Sequence, residues 1–132
     1  MGAMKRPMRA VTRVAGAALL LLSVTAAVRP TVFMQTGGGL WEVSRSNGGR
    51  RNVCVPDPVA LAQYEHLRAS CARDLVRNQQ SRAEIHYTCA GGAFGQSTVE
   101  LITPRSLRIE TQGISDNAPF HYVLQARRLG NC

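Results

Sequence analysis

The chain has 132 residues, 45% of them hydrophobic, and a formal charge of +8 from sixteen Lys and Arg against eight Asp and Glu. That length suits one globular domain and excludes a multidomain enzyme, a dinucleotide fold with its own substrate domain, and a collagen or coiled-coil rod.

Lys5, Arg6, Arg9 and Arg13 form a basic start without an acid, and Val14–Val28 follows without a charge. Small residues at Thr25/Ala27 or Val24/Ala26 offer a cleavage site. This layout predicts a signal peptide over 1–27, whose helix is separate from the domain, and hence a periplasmic protein. The apolar run is shorter than the roughly 20 residues of a membrane span, so the mature form is not expected to cross a membrane. An uncleaved inner-membrane anchor is the alternative. Four of the sixteen cations and none of the acids lie in the leader, which leaves the remainder a formal +4 spread along the chain. Nucleic-acid binding, which wants a dense basic stripe with stacking aromatics, is not expected.

Residues 28–38 read as a flexible lead ending in Gly37-Gly38, and 39–132 as a single domain. Leu40–Arg45 is a first strand, Ser46-Asn47-Gly48-Gly49 a hairpin turn, and Arg50–Val55 the return strand. Pro56-Asp57-Pro58 stops it, with Asp57 placed to cap a helix and Pro58 at its first position. Leu61, Tyr64 and Leu67 have helical spacing, which predicts one short α-helix over 59–70.

Cys71–Arg77 and Ala83–Cys89 flank the polar break Asn78–Arg82. Folded about Gln80, this hairpin sets Leu75 opposite Ile85, Arg73 opposite Tyr87 and Cys71 opposite Cys89. The Cys71–Cys89 disulfide follows from that register, and Cys54–Cys132 is the remaining pair. Four cysteines in a small exported chain suit two disulfides. Their wide spacing does not suit a zinc site, and no metal or cofactor is expected.

Gln96–Thr103 is a strand, and Pro104-Arg105 turns it. On the next strand Leu107, Ile109 and Thr111 face one way, with Glu100 opposite Arg108. Gln112–Pro119 reads as a polar loop. Phe120, Tyr122, Leu124 and Ala126 form the inner face of the last strand. The fold class is mainly β: a twisted antiparallel meander of about six to seven strands with the helix packed on its concave side.

Gly39-Leu40-Trp41-Glu42, Cys54-Val55-Pro56-Asp57, the central Cys71…Cys89 pair and the closing Ala126–Cys132 together resemble one family. It is the family of small exported proteobacterial proteins catalogued as domain of unknown function 3617. The resemblance spans essentially the whole mature chain. It implies export and cysteine staples, and no catalytic residues.

His66 is expected on the exposed side of the helix, and His86 and His121 on the outer face of the sheet. Asp74 lies opposite His86, which an ordinary cross-strand ion pair explains better than a general base. Gly91–Gly95 lacks the ending of a phosphate loop, and no nucleophile elbow is present. The chain is therefore expected not to be an enzyme, a small hydrolase being the least favoured reading. The expected role is a non-catalytic binding or envelope-associated module. Trp41, Tyr64, Phe94, Phe120 and Tyr122 are the residues that would line a gap for an apolar small molecule, unless they simply form the core. The alternative is an interaction protein whose Arg50-Arg51 or Arg127-Arg128 docks an acidic envelope partner.

Overall fold

Alternating apolar and polar residues put one face of most strands in the core and the other in solvent, and this pattern builds the domain. The computed structural model describes residues 28–132, together with 2–4, 7–12 and 16. Most of the leader expected over 1–27, including its apolar run, lies outside the described residues. No described helix is long and apolar enough to cross a membrane.

Seven strands form one open antiparallel sheet: β1 (Gly39–Arg45), β2 (Arg50–Val55), β3 (Cys71–Asn78), β4 (Arg82–Cys89), β5 (Phe94–Thr103), β6 (Ser106–Ser115) and β7 (Ala118–Gly130). Their order is β2-β1-β7-β6-β5-β4-β3. The meander is thus sequential except where the last strand returns beside the first. Each disulfide staples one edge. Cys71–Cys89 joins edge strand β3 to β4, and Cys54–Cys132 joins edge strand β2 to the chain end that follows β7, across β1. Two such bridges belong to an oxidising, exported environment.

The register expected for the β3–β4 hairpin holds: Cys71, Arg73 and Leu75 oppose Cys89, Tyr87 and Ile85. Glu100 does oppose Arg108. Its ion pair, however, is with Arg82 on the other neighbouring strand, at 2.6 Å. The polar loop expected over 112–119 is replaced by a continuous hairpin. β6 runs to Ser115, and Asp116 (φ 50°) and Asn117 (φ 62°) make a tight turn into β7. Asp and Asn tolerate the left-handed region that such a turn requires.

The inner face is covered by residues 58–66, and here the expected α-helix over 59–70 is corrected. Pro58–His66 is a 3-10 segment with a non-helical residue at Gln63 (φ −115°, ψ 39°). The cap is as expected: Asp57 Oδ1 accepts the Val59 N–H at 3.0 Å. Side chains from the sheet then compete for the backbone. The buried Ser97 hydroxyl donates to the Ala62 carbonyl at 2.5 Å, and Thr111 Oγ1 lies 2.8 Å from Ser97 Oγ. An α-helix would give that carbonyl to residue 66. Buried Gln63 donates to the carbonyls of His66 (3.0 Å) and Ala69 (3.1 Å), and its Oε1 accepts from Arg73 (2.8 Å).

The lead expected to be flexible over 28–38 is also corrected. Thr31–Met34 forms a short helical turn, α1, whose Val32 and Phe33 are fully buried in the same core as Trp41, Leu107, Ile109 and Leu124. Arg29 holds it down through a two-pronged pair with Asp57, at 2.9 and 3.0 Å. Hydrogen bonding from Arg29 pulls the Asp57 carboxyl below its ordinary value, which is about 3.9. A lowered folded-state value stabilises the fold above the unfolded-state pKa, and that stability is lost as pH falls through the folded-state pKa. We therefore expect Asp57→Asn to be less stable than wild type at pH 7, with the gap narrowing below about pH 4. Urea midpoints at neutral and acid pH test this. A gap that stays constant would show that the charge plays no part.

Candidate functional site

The five aromatics expected to line a ligand gap are divided. Trp41, Tyr64 and Tyr122 are buried core residues, so the space between the sheet and the 3-10 segment is filled. Phe94 instead lies at an open cleft of about 680 Å³ where β4, β5, β6 and β7 run side by side, whereas the Phe120 ring lies on the inner face against His66 and Tyr122. Phe94 is 49% exposed.

Strand register builds this cleft. His86, Gln96, Gln112 and His121 pair in succession and form one row across the four strands. Two residues along, Thr88, Phe94, Ile114 and Pro119 form a second row on the same face. The row between them, Tyr87, Gly95, Gly113 and Phe120, points the other way. Gly95 is required there: a Cβ would overlap the Tyr87 phenol, which lies across it.

Two carboxylates orient the ends of the polar row. Gln96 Nε2 donates to Glu84 Oε1 at 3.0 Å, and His86 Nε2 lies 3.1 Å from the same oxygen. The Gln96 amide, with His86 beside it, holds the Glu84 carboxyl below the usual carboxylate range. At the far end His121 Nε2 lies 3.1 Å from Glu110 Oε1. Asp74 opposes His86 in register, but the hydrogen bond of His86 goes to Glu84. The row thus presents amide and imidazole groups, which donate and accept, beside an apolar strip.

His66 corrects its expectation of exposure. It packs edge-on to Tyr87 and Phe120, at centroid distances of 5.6 and 5.8 Å, and its Nδ1 lies 3.0 Å from the Tyr87 hydroxyl. The tighter turn of the 3-10 segment and the bend at Gln63 carry it inward. Burial, reinforced by the charge of Glu65, pushes the Tyr87 phenol up to about 12, so it keeps its proton. Nearby, the Tyr122 hydroxyl donates to Glu65 Oε2 at 2.6 Å beneath the Arg45 guanidinium, which sits 4.2 Å from the Tyr122 ring centre. Burial and Glu65 together raise the Tyr122 phenol strongly.

Gln96, Gln112 and Ile114 were not legible as site residues. Their signal was present as outward positions in register with His86 and His121, but it needs the pairing of four strands to be read. Comparison of the chain with family models, with curated proteins and with solved structures gave no match.

Proposed function

We propose that the protein is an exported, non-catalytic binding module of the periplasm, similar to the family named above, and that it takes a glycan of the cell envelope in the β4–β7 cleft. The observation that carries this reading is the pairing of the two rows. Gln96, Gln112, His86 and His121 are placed to exchange hydrogen bonds with a rim of hydroxyls. Phe94 and Ile114 offer a flat apolar strip to the C–H face of a sugar ring. An open cleft suits a chain of rings better than a small enclosed molecule. The two disulfides fit export, since they persist in an oxidising compartment.

Titration with an N-acetylglucosamine tetramer, followed by amide NMR shifts, tests the reading. Shifts concentrated at residues 94–96, 112–114 and 119–121, weakened about tenfold or more in Phe94→Ala, are expected; one stacking contact of about 1.4 kcal/mol corresponds to tenfold. No shift, or shifts that Phe94→Ala leaves intact, would reject it.

A further inference from the structure

At the β1–β2 end of the sheet the inward positions change character. Along β1 they read Trp41, Val43, Arg45, and along β2 Val55, Val53, Arg51, so each apolar series ends in an arginine on the core-facing side. The end of the 3-10 segment passes over that spot and adds His66, Leu67 and Arg68. The result is a mouth of about 400 Å³ between edge strand β2 and the segment, next to a second cleft of about 340 Å³ that is also lined by Arg51, Val53, Leu67 and Arg68.

The charges in this mouth are unbalanced. Its acid, Glu65, is already engaged by the Tyr122 hydroxyl and by Arg45, whose Nη2 lies 3.7 Å away. Among the described residues, Arg51 and Arg68 have neither a carboxylate within salt-bridge distance nor a side-chain hydrogen bond. His66 Nε2 is buried and has no partner. Beneath the guanidinium groups lie Val53, which is buried, and Leu67, which is partly buried. Guanidinium groups match phosphate oxygens in geometry and charge.

We infer that this mouth binds the phosphate group of an anionic amphiphile, with Arg51 and Arg68 on the phosphate and Val53 and Leu67 against the adjoining alkyl chain. This site is separate from the β4–β7 cleft and does not depend on the glycan reading.

Calorimetric titration of the whole protein with monomeric decyl phosphate tests it, with inorganic phosphate and decyl maltoside as the other probes. One molecule of decyl phosphate should bind, at least about tenfold more tightly than either. Arg51→Gln/Arg68→Gln should weaken it about tenfold or more, in proportion to the strength of charged hydrogen bonds. Both side chains are exposed, so the double variant should keep its urea midpoint. Arg105→Gln, which removes one exposed positive charge at the β5–β6 turn, should bind as wild type does. An equal loss in Arg105→Gln would show a bulk charge effect and overturn the site. Unchanged binding in the double variant, or decyl maltoside binding equally well, would also overturn it. Inorganic phosphate binding as tightly as decyl phosphate would overturn the apolar half and leave a free-anion site.

Discussion

Replacing Cys54 and Cys132 together by serine is expected to cost about 4 to 5 kcal/mol of stability, the loop-closure value for a bridge of this span. The bridge closes a sequence separation of 78 residues, against 18 for Cys71–Cys89. It also lies where the fold is topologically exposed. β2 hydrogen-bonds only to β1, and β1 in turn depends on β7, the last strand of the chain. Without the bridge, an edge hairpin is held by one ladder and by its contacts with the 3-10 segment. A domain of this size has a total stability on the order of 5 to 15 kcal/mol, so the variant should lose a large share of it. Urea unfolding of the double serine variant measures the loss. Cys71→Ser/Cys89→Ser should lose less, about 3 kcal/mol, because its loop is shorter. The opposite ranking would show that the edge geometry outweighs loop length.

Phe33→Ala is expected to cost about 3 to 5 kcal/mol, the usual loss for truncating a buried phenylalanine. Phe33 is 1% exposed, although it lies ahead of the first strand in a segment of only four helical residues. That helix has no stability of its own at such a length and exists because Val32 and Phe33 dock. Met34→Ala, next in sequence and 68% exposed, should change stability by less than about 0.5 kcal/mol. Thermal and urea unfolding of the two variants distinguish a docked lead from a loose one. Equal effects would place the lead outside the cooperative unit.

The two corrections within the domain share a cause. The hairpin over Cys71–Cys89 and the turn at Asn47-Gly48-Gly49 could be read from the chain because their signals are local: alternation along β4, and the glycines at 48 and 49 that supply positive φ. The β6–β7 turn uses Asp116-Asn117, a weaker signal set among polar residues, and its flanks are strands because they pair with each other and β5 pairs with the β6 side. The 3-10 segment shows helical spacing in Leu61, Tyr64 and Leu67. What makes it a 3-10 segment is Ser97, 35 residues away, taking the Ala62 carbonyl.

The candidate sites follow the same division. That aromatic residues would matter was legible, but not which of them. Tyr122 and Phe120 alternate with outward residues in one strand and have the same parity. Both rings therefore lie on the inner face, Tyr122 buried and Phe120 partly buried at the end of the 3-10 segment against His66, and of the five aromatics Phe94, on the opposite parity of β5, is the one on the cleft face. The row His86, Gln96, Gln112 and His121 draws on four strands, with its ends far apart in the chain, so no short window of sequence contains it. Arg45 and Arg51 could have been noticed as charges at inward positions, but the opening they face exists only because residues 66–68 cross it.

The sequence alone thus determined the β class, the pairing of the cysteines and the faces of most strands, since alternation and turn chemistry act between near neighbours. Only the tertiary structure decided the docked lead, the 3-10 geometry and both clefts. Each depends on which distant side chain reaches a backbone carbonyl or covers a stretch of sheet, and that competition is settled when the elements pack.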